Sequence, residues 1–331
     1  MDTRATPVQP FRPVAGPAVR WPDSFGTRYT VTVDTEEEFD WTAPLSRDAT
    51  AVTAIRAVPA AHRRFRDAGV ALSWLVDHPV VADRAAVATL AETLTDGRSA
   101  IGAQLHPWVT PPFDEAVTPF NSFVGNLPLA LEAAKLEVLT DRIATTFGRR
   151  PILYRAGRYG IGPHTAGLLA ERGYRFDSSV RARYDYASEG GPDFSDSGNA
   201  AYRAGPDLIE LPLTTALTGR IRSPGLFRRL GGIPRARGAA ARLGLVQRVA
   251  LTPEQMPLTD ALEAIRVVHG EGLRLLVFSF HSPSLEPGHT PYVRDASDLA
   301  TFWRWWDGVL TELARLDIAN ASLGEIDTAL A

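Results

Sequence analysis

Apolar residues in this chain fall into short continuous runs, separated by stretches with helical spacing. Residues 29–33, 70–76, 100–105, 152–154, 174–180, 208–211 and 273–280 are the runs of strand length, several of them β-branched. Helical patterns cover 52–68, a stretch capped by Asp83 that runs to about Leu94, 127–147, 164–171 and 296–316. Gly69, Gly148 and Gly173 stand just past three of these helices, where a chain commonly leaves helical geometry. Seven strands mostly alternating with helices predict a parallel sheet with right-handed crossovers. The span of about 290 residues suits a single-domain (β/α)7 barrel better than two open sheets.

The polar residues sharpen this picture, because they collect where the strands stop. The first strand ends in Asp34, Glu36, Glu37, Glu38 and Asp40, and the second in Asp77 and His78. Later ones end at His106, at Arg155, near Asp177 and at His281. In a barrel those ends meet at one mouth, where sites are built from several strands. Asp34 and His281 come from the first and last strands, so they are expected side by side as base and acid. A plain acidic loop and a backbone-bonded histidine are the competing readings of these two. Arg155 ends an apolar strand and requires a carboxylate, Asp34 or Asp177, either for catalysis or as a structural ion pair. Trp108, Arg158, Tyr159 and Asp177 are the candidates for touching substrate. Gly157 and Gly160 are read as letting the backbone approach a ligand. A metal would draw on Glu36 and His106, with Asp34 or His78 completing the set, whereas Gln104 is a poor zinc ligand.

Composition narrows the function classes. The chain has 331 residues, 45% of them hydrophobic, which is ample for a core. A net charge of −3 provides no field for nucleic acid. The absence of cysteine excludes disulfides, thiol catalysis and cysteine-ligated metal. Residues 1–27 carry five prolines and no secretory pattern, and read as an arm lying on the surface. No apolar run approaches the ~20 residues of a membrane span, so a soluble, cytoplasmic protein is expected. Domain 28–331 contains an arginine-rich insertion at about 214–256, with eight arginines between Arg220 and Arg248. That run is either a solvated helix face or a contact for anionic glycan or membrane phospholipid. The aromatic cluster 302–306 (FWRWW) is either core packing or a sugar-binding face.

The motifs TVDTEEEFDW, IGAQLHPW, YRAGRYG, DSS and VFSFHSPSLEPGHTPYV, in that order, resemble those of the polysaccharide deacetylases of carbohydrate esterase family 4. The resemblance covers roughly residues 28–320, and within the family it is nearest to proteins of bacterial surface-polysaccharide synthesis. It implies a distorted (β/α)7 barrel that removes N-acetyl groups from an amino sugar in a polysaccharide or its precursor. It also implies Asp34 as general base, Arg155 as its orienting partner, His281 as general acid, and a divalent metal, usually zinc. Three positions depart from the family pattern. Thr35 replaces the second aspartate of the first motif, and Gln104 and Trp108 occupy the places of its metal-binding histidines. A rebuilt metal site, a metal-independent amide or ureide hydrolase, and a glycan-binding scaffold without turnover are the three outcomes these departures allow.

Overall fold

The computed structural model describes residues 9–233 and 235–331. In chain order the elements are β1 (Arg28–Thr35), α1 (Val58–Asp67), β2 (Leu72–Val76), α2 (His78–Ala82), α3 (Arg84–Thr93), β3 (Ala100–Leu105) and α4 (Leu129–Phe147). There follow β4 (Leu153–Ala156), α5 (Thr165–Glu171), β5 (Phe176–Asp177), β6 (Tyr202–Arg203), β7 (Ile209–Glu210) and β8 (Thr215–Thr218). The chain then forms α6 (Pro224–Gly231), α7 (Ala236–Arg242), β9 (Gln247–Ala250), α8 (Leu258–Gly270), β10 (Leu275–His281), α9 (Ala296–Arg315), β11 (Ala319–Asn320) and α10 (Leu323–Ala329).

The main sheet runs β10-β1-β2-β3-β4-β5-β7-β6, with β11 also paired to β1. The seven parallel strands along this path are the seven expected from the apolar runs, and the short β11 is an eighth. The sheet curls as a half-barrel, and among the described residues no strand ladder closes it between β7 and β10. Backbone from the insertion bridges that gap: Thr214 donates to Val277, Leu251 to Thr214 and Ser279 to Leu251. Asp34 and His281 are neighbours because β1 and β10 pair directly, in register at those two residues. Closure was not needed to bring them together.

Alternation along the strands explains why the site lies at one end. One parity (Val31, Val33, Trp74, Val76, Tyr154, Phe278, Phe280) packs beneath the helices in the main core. The other parity faces the interior and changes character along each strand. Leu75, Leu153, Leu275 and Val277 fill the closed end with Phe25, Leu323 and Ile326. One or two steps further on come Asp34, Gln104, Arg155 and His281, and the interior opens there into a cavity.

The helices close the outer layer. On α1, Val58, Ala61, His62 and Phe65 form the buried stripe. On α9, Phe302, Trp305, Trp306, Val309 and Leu313 do the same. The aromatic cluster of residues 302–306 is therefore mostly core: Phe302, Trp305 and Trp306 are buried, and Trp303 is stacked under Arg64. Helix α8, not expected above, is legible from Ala261, Ala264, Ile265 and Val268. The strands β8 and β9 form a separate antiparallel pair that carries α6 and α7 as a helical hairpin. The described part of the proline-rich segment lies on the sheet edge, where Ala18 bridges Tyr202 and Val19 donates to Ala201. Residues 1–8 lie outside the described residues. No described helix is long and apolar enough to cross a membrane.

Candidate active site at the carboxyl ends of the strands

A cavity of about 480 Å³ opens at these strand ends. On its β10 side, Asp34 and His281 face each other with Nε2 3.9 Å from Oδ2. Each is held from behind by a buried opposite charge. Arg155 pairs with Asp34, donates through Nε to the Ser178 carbonyl at 2.9 Å, and through Nη2 to Thr32 Oγ1 at 2.8 Å and Ser178 Oγ at 3.1 Å. His281 meets Glu254 through Nδ1 at 2.6 Å, and Glu254 also accepts from the His281 amide at 3.0 Å and from Ser284 Oγ at 2.6 Å. Burial pulls the imidazole down, but the carboxylates around it, Glu254 first, prevail and push it up to about 10. Glu254 is held below the ordinary range despite burial, by the charge and hydrogen bond of His281. This half of the site is an imidazolium beside carboxylates.

The β3 side is built differently. His106 Nδ1 meets Glu37 Oε2 at 2.8 Å and its Nε2 lies 3.6 Å from Glu36 Oε2. The ring stacks on Trp108 with centroids 4.4 Å apart, and the Trp108 indole donates to Glu37 Oε1 at 2.7 Å. Gly157 is required here because a Cβ would stand 2.2 Å from His106 Cδ2. Its role is to seat the imidazole, a correction to the ligand-approach reading of this glycine. Behind the cavity wall, Asp77 accepts from the Glu37 amide at 2.8 Å and from the Val80 amide at 2.9 Å, capping α2. Burial pushes Glu37 up and Asp77 well above the ordinary carboxylate range, and raises Glu36 to about 8.

The walls come from loops. Arg158 and Tyr159 both line the cavity with left-handed backbone, φ 54° and 60°. These are sparsely populated conformations for non-glycine residues, held here by the surrounding contacts. Arg158 lies over Phe123 and pairs with Glu189. The loop after His106 supplies Val117, Thr118 and Pro119. Lys135 pins its start, with Nζ donating to the carbonyls of Pro107, Thr110 and Pro112 at 2.9, 2.6 and 2.6 Å. The sole lysine thus has a positioning role that nothing in its local sequence announces. Phe39, Trp41 and Tyr292 supply aromatic surface beside His281.

Two expected site residues are elsewhere. Asp177 lies outside the cavity, beside Glu210, where it accepts from Ser179 Oγ, and burial raises it to about 6. It cannot touch substrate from there, and Arg155 takes Asp34 as its partner instead. His78 opens α2, half-buried and away from the cavity, so it completes no ligand set. Sequence reasoning missed Glu254 and Glu37 as site residues. Glu254 follows an apolar strand in a loop, and Glu37 is one acid among several.

The donors do not fit an open three-ligand zinc site. Thr35 turns its hydroxyl to the Val33 carbonyl on its own strand, and Gln104 presents its amide N–H to Glu36 at 3.2 Å. A buried Glu37–Asp77–His106 triad does bring three donor atoms within 4.8 Å of one another. Its four carboxylate oxygens, however, already accept from His106, Trp108, the Glu37 amide and the Val80 amide, and neither acid reaches the cavity. Asp34 gives Oδ1 to Arg155, and its other oxygen forms no three-donor group with Glu36 and His106 among the described residues. Glu36 and His106 Nε2 remain as cavity-facing donors, one short of the usual three.

The sequence matches no family model and no curated protein. The fold, by contrast, has clear relatives. A Mycobacterium smegmatis protein provisionally assigned as a polysaccharide deacetylase superposes with a TM-score of 0.56 at 17% identity, covering 96% of this chain and 95% of that one. The Puue allantoinase superposes with a TM-score of 0.52 at 14% identity, covering 95% of this chain and 92% of that one. The chain has the polysaccharide-deacetylase fold over nearly its whole length.

Proposed function

We propose that this chain hydrolyses a non-peptide C–N bond, and that its substrate is an N-acetylated saccharide. One observation carries the reading: Asp34 and His281 stand side by side on one wall of the cavity, 3.9 Å apart, each braced by a buried counter-charge. Asp34 accepts a proton from water as the oxygen attacks the acyl carbon. The C–N bond then breaks as protonated His281 gives its proton to the leaving nitrogen. Carboxylic acid and amine leave, and the proton on Asp34 returns to the imidazole to reset the pair. Glu36, neutral up to about pH 8, is a proton donor placed to steady the developing oxyanion.

The names of the two fold relatives, a deacetylase and an allantoinase, support C–N hydrolysis as the reaction class. The aromatic wall of Phe39, Trp41 and Tyr292 supports a sugar ring as the substrate body. The donor set supports hydrolysis without a metal. Amine release from N-acetylated glucosamine oligomers tests the proposal. Release that survives both Asp34→Asn and His281→Ala would end it.

We further propose that the α6–α7 hairpin rests on a membrane surface bearing anionic phospholipid. Arg220, Arg222, Arg228, Arg229, Arg235 and Arg242 are exposed, and the sequence from 220 to 250 contains no acid. Among them Ile221, Ile233 and Leu243 are exposed by 45%, 58% and 69%, the combination an interfacial helix pair uses. Co-sedimentation with phosphatidylserine vesicles, lost at high salt and absent with phosphatidylcholine alone, is the expected result. Equal pelleting with both, or with neither, would remove the idea.

A further inference from the structure

Several of the charged side chains lining the cavity have a partner of opposite sign, while the exposed Asp40 bonds, among the described residues, only to Thr42 and Ala43 on its own loop. Asp34 is paired with Arg155, Glu189 with Arg158 and His281 with Glu254. Arg181 also lines the cavity and forms no ion pair with any described carboxylate. Its guanidinium lies 3.9 Å from the Tyr184 ring centroid and 5.4 Å from that of Tyr159. Its hydrogen bond to a described residue is Nη1 to the Tyr186 hydroxyl, at 3.3 Å. A guanidinium has five N–H donors, so most of its capacity is unspent.

Two neighbouring arginines show what a structural role looks like in the same place. Arg248 lies 3.5 Å from the same Tyr184 ring and donates to the Arg183 carbonyl at 2.8 Å. Arg183 donates to the Thr215 carbonyl at 2.7 Å. Both are tied to backbone, and neither lines the cavity. Arg181 is tied to aromatic faces alone, which orient a cation and attract it less than a carboxylate does. Arg183 and Arg248 lie close by, and none of the three pairs with a described acid.

We propose that Arg181 determines specificity by receiving a carboxylate on the substrate, whose class is then an acidic N-acetylated saccharide. The planar fork of a guanidinium matches a carboxylate with two parallel hydrogen bonds, and the tyrosines hold that fork in place before substrate arrives. This deepens the hydrolase reading and rests on it for the rest of the substrate.

Calorimetric titration of the full chain separates the two ideas. The probes are N-acetylmuramic acid, which carries a carboxylate, and N-acetylglucosamine, which lacks it. The wild type is expected to bind the acidic sugar about tenfold more tightly or better, an advantage that shrinks with added salt. Arg181→Gln is expected to abolish the preference and Arg181→Lys to keep part of it. Equal binding of the two sugars, binding of neither, or a preference that persists in Arg181→Gln overturns the proposal. Amine release is followed on the same samples. Selective binding without release removes the hydrolase reading and leaves Arg181 in its role, and release without preference does the reverse.

Discussion

His281 and His106 are built from the same parts on opposite sides of β1, but the carboxyls packed around them are pushed in opposite directions. Each imidazole puts Nδ1 on a buried glutamate, at 2.6 and 2.8 Å, and turns Nε2 toward a cavity carboxylate, at 3.9 and 3.6 Å. The difference lies behind them. On the β10 side Arg155 neutralises Asp34 and Glu254 has only donors around it, so a carboxylate and an imidazolium coexist. On the β3 side Glu36, Glu37 and Asp77 crowd one imidazole with no arginine among them, and burial pushes all three acids up. Residue type does not decide the charge state. The local count of acids against cations does, once water is excluded.

The largest expected effect lies on the charged side. Asp34→Asn or His281→Ala should lower amine release by about 10²–10⁴-fold, the usual contribution of a positioned acid or base. A loss of less than about tenfold in both would show that the other imidazole carries the reaction. Next comes the split between the two supporting glutamates. Glu254→Gln removes the main cause of the raised His281 value, so the alkaline limit of activity should fall from about pH 10 toward the ordinary imidazole value of 6.5. Glu37→Gln should lower the rate while leaving that limit in place. Identical pH profiles for the two variants would erase the distinction between the sides.

A smaller effect is expected in stability. Glu36 is raised from 4.5 to about 8, so the folded state keeps a proton that the unfolded state releases. Its contribution is fully present below about pH 4.5 and is progressively lost up to about pH 8. Glu36→Gln should therefore raise Tm relative to wild type above about pH 8 and change it little below about pH 4. A Tm difference independent of pH would mean that Glu36 is ionised in the folded protein. The smallest effect belongs to metal. Protein purified without chelator should hold well under about one equivalent of zinc by elemental analysis, and chelator should leave Tm unchanged. Stoichiometric zinc would instead make the β3 side a metal centre and its imidazole a ligand.

Much of this is legible in the order of residues alone. The seven apolar runs are the seven parallel strands along the main path of the sheet, and polar residues at their ends mark the mouth. The pairing of Asp34 with His281 follows from first and last strands being neighbours. Asp177 misleads because it pairs in register with Tyr154, so its side chain shares the parity that faces the helices and not the one that carries Arg155 into the interior. His78 misleads because the chain enters α2 at that residue rather than staying extended. Glu254 is hidden because a long insertion separates it from its strand neighbours, and its partner lies 27 positions away.

By itself the sequence determined the seven main strands, their parallel arrangement and the end at which polar groups gather, because period-two burial and helical spacing are local properties of a chain. Only the tertiary structure decided which acid meets which cation, which carboxyls keep their protons, and that Arg181 faces the cavity without a counter-charge among the described residues. Those outcomes depend on distances of a few ångströms between residues far apart in the chain, and on how completely water is excluded between them.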